Sequence, residues 1–319
     1  MKTKLSIIMG CLLAVLYAAS PVFASSKVWT NNPAAGQTSS NILGSAGSMS
    51  WAPTGQPGSS DIGWVTNNLA ANTTNILYRD SNYGTGGLIF SNSNTAAAGT
   101  AINKFLVNAG SFSVGSMTVG YNGVVEVGGT GSLTVRNSLA FGSGGTLILN
   151  GQAGGTAGFL NLGDTNFVIH GTLVSNKGTI NWTSDTNRIM RVADGGQLVA
   201  NLGTTYVNSG VSFDSNATFS VNLDLTSGQN AMLALGSNLT LNASSVLNLS
   251  DGVVGNVYTV ATAIAISGTF GTVTPDYIVN YDATDITVQF IPEPSTLLLV
   301  TAGLVGLAAL CRRHPQQHS

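Results

Sequence analysis

The side chains of this sequence that could take part in chemistry are few, and most of them are aspartates. Between Ser25 and Ile291 the chain has one histidine, His170, one glutamate, Glu126, and no cysteine. Two carboxylates about 5 to 9.5 Å apart could cleave a glycosidic bond, and on stacked strands they could come from distant parts of the chain. The candidates for such a pair are Asp164, Asp185, Asp194, Asp214, Asp224 and Asp251.

The neighbours of these residues favour structural roles. Asp194 and Asp214 stand beside Gly, Ser or Asn, where an aspartate commonly hydrogen-bonds to the backbone of its own turn. His170 follows a short apolar run and precedes Gly171, without the serine or aspartate motif of a nucleophilic device. A single histidine also disfavours zinc. We therefore predict no catalytic residue, no cofactor and no metal site, and we do not expect an enzyme.

One glycine-rich stretch partly matches a calcium-binding motif. Calcium-binding β-rolls repeat the sequence Gly-Gly-x-Gly-x-Asp. Gly128-Gly129-Thr130-Gly131-Ser132 begins in this way, but Leu133 stands where the aspartate should be. The ligand position is therefore apolar, and the sequence predicts a turn without calcium.

The N-terminus has the three parts of a secretory signal peptide. Lys2 and Lys4 come before an apolar run, and Val22-Phe23-Ala24 forms a small-residue cleavage site. The run is too short to span a bilayer at about 1.5 Å per residue. We predict that signal peptidase removes residues 1–24 by cutting between Ala24 and Ser25. An uncleaved N-terminal anchor is the alternative.

The C-terminus combines a stiff segment, an apolar run and two arginines. Pro292-Glu293-Pro294 holds the backbone extended, and the apolar run extends from Leu297 to Leu310. A helix over residues 295–311 would measure about 25 Å, a marginal length for a span. Arg312 and Arg313 follow and should stay in the cytoplasm. The sequence predicts a short membrane tail over residues 292–319.

This order of parts resembles the PEP-CTERM sorting signal of Gram-negative bacteria. The resemblance covers residues from Pro292 to about Arg313 and implies recognition by exosortase, a membrane-embedded enzyme of organisms that build exopolysaccharide. It also implies a transient stay in the inner membrane, followed by release to the cell surface or extracellular matrix. A plain tail anchor is the alternative.

Composition excludes two broad classes of protein. Only 8% of the 319 residues are charged and the net charge is −2, so no basic surface is available for nucleic acid. With 43% hydrophobic residues the chain is also unlike a disordered one. Its 40 glycines suit tight turns between strands. Without cysteine, no disulfide can stabilise the exported body.

The body is organised as short strands. From about Ala101 onward, small, polar and apolar residues alternate in segments such as Gly145-Thr-Leu-Ile-Leu149 and Gly171-Thr-Leu-Val174, each bounded by Gly, Asn or Ser. Such strands have one apolar face, and no helical segment could cross over between them. The pattern favours an all-β stacked solenoid over residues 101–291, with a β-sandwich or barrel as the alternative. Residues 25–100 show no sustained period and are expected to form a cap and irregular first coils.

The body also resembles autotransporter-associated β-strand repeat proteins. The resemblance lies in Trp51 to Val65, which contains Gln56-Pro57-Gly58, and in Gly87-Leu-Ile-Phe-Ser91. The closing stretch Ile286-Thr-Val-Gln-Phe290 is similar to the last strands of PEP-CTERM β-helix proteins. The resemblance implies a right-handed parallel β-helix with an N-terminal cap and a closing hairpin.

Two function classes fit these features. The first is a structural or adhesive surface protein, for which extracellular polysaccharide is the expected external partner. The second is a β-helix lyase or hydrolase that acts on polysaccharide. Asp, Arg and aromatic side chains converging on one groove would favour the enzyme, and polar ladders of Asn, Ser and Thr would favour the structural protein, which we expect.

Overall fold

The computed structural model describes residues 26–29, 38–42, 51–52, 62–65, 74–79, 83–90, 102–151, 158–163, 166–183, 185, 187–223, 230–291 and 302–305. Within these residues the chain forms 28 strands and one helical segment, 302–305. The all-β prediction is confirmed. Residues 25–100, for which the sequence predicts a cap and irregular first coils, contribute six of the strands.

Ten strands form one parallel sheet whose order follows the chain. Thr146, Thr172 and Gln197 are partners in register, at intervals of 26 and 25 residues, so each interval is one coil. The ten strands are β2 (Thr38–Ile42), β5 (Thr74–Arg79), β7 (Ile102–Val107), β9 (Gly123–Val127), β11 (Thr146–Asn150), β14 (Thr172–Asn176), β17 (Gln197–Leu202), β20 (Thr218–Asn222), β23 (Val246–Ser250) and β26 (Thr272–Val273).

The other 18 strands form a second sheet. Those before the middle of the body are β1 (Ser26–Trp29), β3 (Trp51–Ala52), β4 (Ile62–Val65), β6 (Tyr83–Phe90), β8 (Ser111–Val119) and β10 (Ser132–Phe141). The later ones are β12 (Phe159–Leu162), β13 (Phe167–Ile169), β15 (Thr179–Trp182), β16 (Ile189–Val192), β18 (Thr204–Val207), β19 (Gly210–Phe213), β21 (Met232–Leu235), β22 (Leu239–Leu241), β24 (Val257–Thr262), β25 (Ile266–Ser267), β27 (Tyr277–Tyr281) and β28 (Asp285–Phe290).

From β10 onward the second sheet consists of two stacks of strands, called here columns. The first column is β12, β15, β18, β21 and β24, and the second is β13, β16, β19, β22 and β25. The first part of β10 pairs with β12 and its last part pairs with β13, and the register of β10 shifts between Val135 and Ser138. From there each coil adds one strand to each column and a third to the ten-stranded sheet. Successive coils pair in parallel, whereas sandwich sheets are antiparallel, so the sandwich alternative is wrong. The body is a parallel β-solenoid.

The core consists of equivalent positions stacked from coil to coil. One row crosses the ten-stranded sheet in register, and all its members are at most 1% exposed: Val125, Leu147, Leu173, Leu198, Phe219 and Leu247. Near the C-terminal end the rings of Phe213, Phe219 and Phe270 meet, with the Phe213 centroid 5.6 Å from Phe219 and 5.9 Å from Phe270. Each such side chain stabilises the stack by about 1.5–3 kcal/mol when fully buried.

A stacked corner turn leads into the ten-stranded sheet. In three of the coils the N–H of Gly145, Gly196 or Ala217 donates to the carbonyl three residues earlier, over 3.0, 2.8 and 3.2 Å. The residue before each of them has a positive φ and is Gly144, Gly195 or Asn216. Gly and Asn tolerate this conformation best, so these residue types at this spacing set the corner.

The C-terminal end of the stack is closed by antiparallel pairing. Strand β28 lies between β24 and β27 and is antiparallel to both, which confirms the predicted closing hairpin. The hydroxyl oxygens of Tyr277 and Tyr281 accept hydrogen bonds from the N–H groups of Gly252 and Phe270, at 3.2 and 3.1 Å. Burial raises the pKa of both phenols, which keeps them neutral. Strand β28 occupies the edge of β24, which would otherwise remain open to pairing with a further strand.

Candidate functional site

Three of the four candidate carboxylates that the structure describes, Asp185, Asp194 and Asp214, bind partners on their own or a neighbouring coil. Asp214, after β19, accepts hydrogen bonds from Arg191 on β16, with its Oδ2 atom 2.7 Å from Nε and 2.6 Å from Nη2. This hydrogen bond and the charge of Asp214 raise the pKa of Arg191, so the guanidinium stays charged. Asp194 accepts a hydrogen bond from the Asn216 amide at 3.2 Å. The arrangement is a set of satisfied cross-coil pairs on the outer surface.

Asp185 and Asp251, the other candidates that the structure describes, lie in turns. Asp185 lies 3.4 Å from the Arg188 Nε atom and accepts a hydrogen bond from the Asn187 N–H at 2.9 Å, as expected for an aspartate in a turn. Asp251 has a φ of 61°, which also places it in a turn. Asp164 and Asp224 lie outside the described residues.

His170 lies at the end of β13, next to a shallow groove of about 350 Å³ on the outer surface. The groove is lined mainly by small and apolar residues, among them Ala140 and Val168, with Asn166 at its side. Backbone pairing puts His170, Ala193 and Asp214 in successive coils of one column, so His170 and Asp214 lie two coils apart. Among the described residues no hydrogen bond or ion pair joins the His170 side chain to a carboxylate.

The failed calcium motif also has a physical explanation. Leu133, which stands where the motif needs aspartate, is fully buried in the core. The N–H of Gly131 donates to the carbonyl of Gly128 at 2.8 Å, as expected for a tight turn. Among the described residues no group of three or more His, Cys, Asp or Glu side chains lies close enough together to hold a metal ion.

A polar ladder crosses the ten-stranded sheet. Polar ladders of Asn, Ser and Thr were expected of a structural protein, but the sequence did not show which residues form this one. Lys104 forms an ion pair with Glu126. The Asn150 amide donates to Glu126 at 2.6 Å, Asn176 donates to Asn150 at 2.6 Å, and Asn201 donates to Asn176 at 2.9 Å. The signal in the sequence is an asparagine at or next to the end of β11, β14 and β17, at intervals of about one coil. Such a ladder satisfies its own hydrogen bonds and so stiffens the stack.

An aromatic row on the first column of the second sheet was also missed. Phe159, Thr179, Tyr206 and Ala234 are partners in register on β12, β15, β18 and β21. Phe159 is 36% exposed and Tyr206 is 43% exposed. Two strand spacings separate them, or about 9.6 Å. Beside this row lie Asn161 and Asn181, also in register, and Asn161 donates to Ser132 at 2.9 Å.

Comparison with known proteins identifies the C-terminal segment. Residues 290–313 match the PEP-CTERM protein-sorting motif. Comparison with curated proteins finds no match. The solenoid body and the motif together define an exported β-solenoid protein. It carries a PEP-CTERM sorting signal, which implies export to the cell envelope or surface of a Gram-negative bacterium and processing by an exosortase-like enzyme.

The predicted processing residues lie outside the described structure. Pro292, Glu293, Pro294, Arg312 and Arg313 fall within the matched motif but outside the described residues, as do Ala24 and Ser25. Of the helix predicted over 295–311, the structure describes 302–305, which is helical. No described helix is long and apolar enough to cross a bilayer. Cleavage after Ala24, the membrane-spanning tail and the likeness of the body to autotransporter-associated repeats therefore stay predictions.

Proposed function

We propose that the mature protein is a structural, adhesive component of the cell surface or extracellular matrix. It binds extended, neutral polysaccharide along the aromatic row of Phe159, Thr179 and Tyr206. This row is the observation that supports the proposal, because it presents two exposed rings in register on one sheet of an exported protein. The ladder from Glu126 to Asn201 supports the structural part, since it links successive coils.

The chemistry of the row suits a sugar chain. The faces of pyranose rings carry C–H groups that pack on aromatic rings, while their hydroxyl groups need hydrogen-bonding partners. Asn161 and Asn181 supply amides beside the rings. A separation of about 9.6 Å between the two rings places them along the strand-stacking direction, so a chain lying in that direction would contact both. The low charge of the protein favours a neutral ligand over an anionic one.

The first test removes the rings. Phe159→Ser and Tyr206→Ser should each weaken co-sedimentation of the purified protein with an insoluble β-glucan. Loss of one aromatic contact of about 0.5–1.5 kcal/mol predicts about a two- to tenfold weaker apparent Kd for each variant. Ile189→Ser is the matched control, because Ile189 is 56% exposed on β16, in the other column. Equal binding by the double variant and the wild type would overturn the proposal.

We also propose that Asp185, Asp194 and Asp214 have no catalytic role. The supporting observation is that Asp185, Asp194 and Asp214 each hold a side-chain or backbone partner. Replacing all three by Asn should leave β-glucan binding unchanged within about threefold, since exposed ion pairs contribute little. Reducing-end and unsaturated-sugar assays provide the decisive comparison. Sugar release by the wild type that the triple variant lacks would identify the protein as an enzyme.

A further inference from the structure

The C-terminal end of the solenoid carries an exposed apolar cluster, called here the end patch. Its members are between 37% and 63% exposed: Val253, Val254, Val257, Ile278 and Ile291. Single exposed apolar residues are common on soluble proteins, but a group of this kind marks an interaction surface.

Backbone pairing brings the five residues together. Val257 and Ile278 both lie opposite Gln289, on either side of β28. The loop that holds Val253 and Val254 is tied to the end of β28, since the Gly255 N–H donates to the Phe290 carbonyl at 3.2 Å. The Ile291 N–H donates to the Asp276 carbonyl at 2.7 Å, just before β27. Backbone pairing therefore places all five residues at one end of the closing sheet, with Gln289 between Val257 and Ile278.

The chain leaves the body from this same surface. Ile291 is the last residue before Pro292, and the apolar run of the sorting tail begins at Leu297. Six residues span at most about 20–22 Å when fully extended. With the tail in a bilayer, the end patch is thus held close to the lipid surface and cannot drift away from it.

We propose that the end patch rests on the lipid interface while the sorting tail is inserted. Apolar side chains gain free energy there by sinking into the boundary between headgroups and acyl chains. The neighbouring charged groups are Asp251 and Asp276, so the surface suits zwitterionic lipid and not an anionic one. The contact would orient the solenoid on the membrane and hold the Pro-Glu-Pro segment near the bilayer surface. This inference rests on insertion of the tail and is independent of polysaccharide binding.

The test places an environment-sensitive fluorophore on the end patch of protein that begins at Ser25 and keeps the tail. Val257→Cys is labelled with a nitrobenzoxadiazole dye in a background of Cys311→Ser, then reconstituted in phosphatidylcholine vesicles with or without nitroxide-labelled lipid. Vesicles are floated at alkaline pH so that only inserted protein is measured. Gln197→Cys, an exposed strand position three coils before β26, is the matched control.

Interfacial apolar groups sink about 5–10 Å into the headgroup boundary, so nitroxide lipid should quench the probe at residue 257 at least about twofold more than the probe at 197. Val253→Ser combined with Ile278→Ser should remove this difference while the tail stays inserted. Equal quenching at 257 and 197 would overturn the proposal. A blue-shifted but unquenched probe at 257 would also overturn it, showing that a second copy of the chain or the tail itself covers the patch.

Discussion

Replacing Pro292, Glu293 and Pro294 together by alanine is expected to leave the protein in the inner membrane as a tail-bearing precursor. The prolines hold the backbone extended, the form in which proteases bind their substrates, and alanine would let the helix extend through this segment. Arg312 and Arg313 oppose passage of the tail, because each costs about 2.5–3.5 kcal/mol at the centre of a bilayer. If the exosortase-like enzyme does not recognise the variant, the precursor should remain in the inner membrane.

The measurement is fractionation of cells with mass spectrometry of both chain ends. In the wild type, the surface or matrix fraction should contain protein that begins at Ser25 and lacks the apolar tail. The triple variant should also begin at Ser25, since signal-peptide removal does not depend on the tail. Ser295→Ala with Thr296→Ala is the matched control and should be sorted normally. A surface form containing Arg312 or His314 would instead show a permanent anchor.

Gly196→Ala is expected to destabilise the solenoid strongly. A Cβ atom on Gly196 would lie 2.1 Å from the carbonyl oxygen of Ile169, in the coil before it. That oxygen belongs to the backbone and cannot move without shifting a whole coil. The expected cost is about 3 kcal/mol, at the upper end of the range for overpacked sites. At about 2–4 °C per kcal/mol, the unfolding midpoint should fall by about 6–12 °C.

The adjacent glycine provides a matched control. Gly195 has a φ of +73°, but a Cβ atom there would meet nothing within 4 Å. Gly195→Ala should therefore cost only the backbone strain, about 1–2 kcal/mol. Gly195→Asn should cost less, because Asn216 occupies the equivalent position in the next coil with a φ of 55°. The measurement is the thermal unfolding midpoint of each purified variant. Equal midpoints for Gly195→Ala and Gly196→Ala would contradict this prediction and show that neighbouring coils shift to accommodate the added Cβ atom.

The sequence by its local patterns predicted the inward-facing positions of the strands and the sorting motif. Alternation in Thr146–Asn150 and Thr172–Asn176 predicted which side chains face inward, and Leu147 and Leu173 are buried as expected. Each strand has one apolar face that must be covered, so the pattern also predicted stacking. The sorting motif is a short, contiguous signal and needs no folding to be read. The calcium motif is equally local, so the sequence was enough to show that Leu133 stands at the ligand position.

Which outward-facing side chains lie together depends on the tertiary structure and could not be predicted from the sequence. Arg191 and Asp214 are 23 residues apart, whereas Phe159 and Tyr206 are connected through Thr179 at intervals of 20 and 27 residues. Coil length varies, since Gln197 pairs with Thr218 after 21 residues and Thr218 pairs with Val246 after 28. Turns and loops absorb these differences, and the register is set by how one coil packs on the next. A local pattern fixes the face of a side chain, but its neighbours across coils follow from packing of the whole stack.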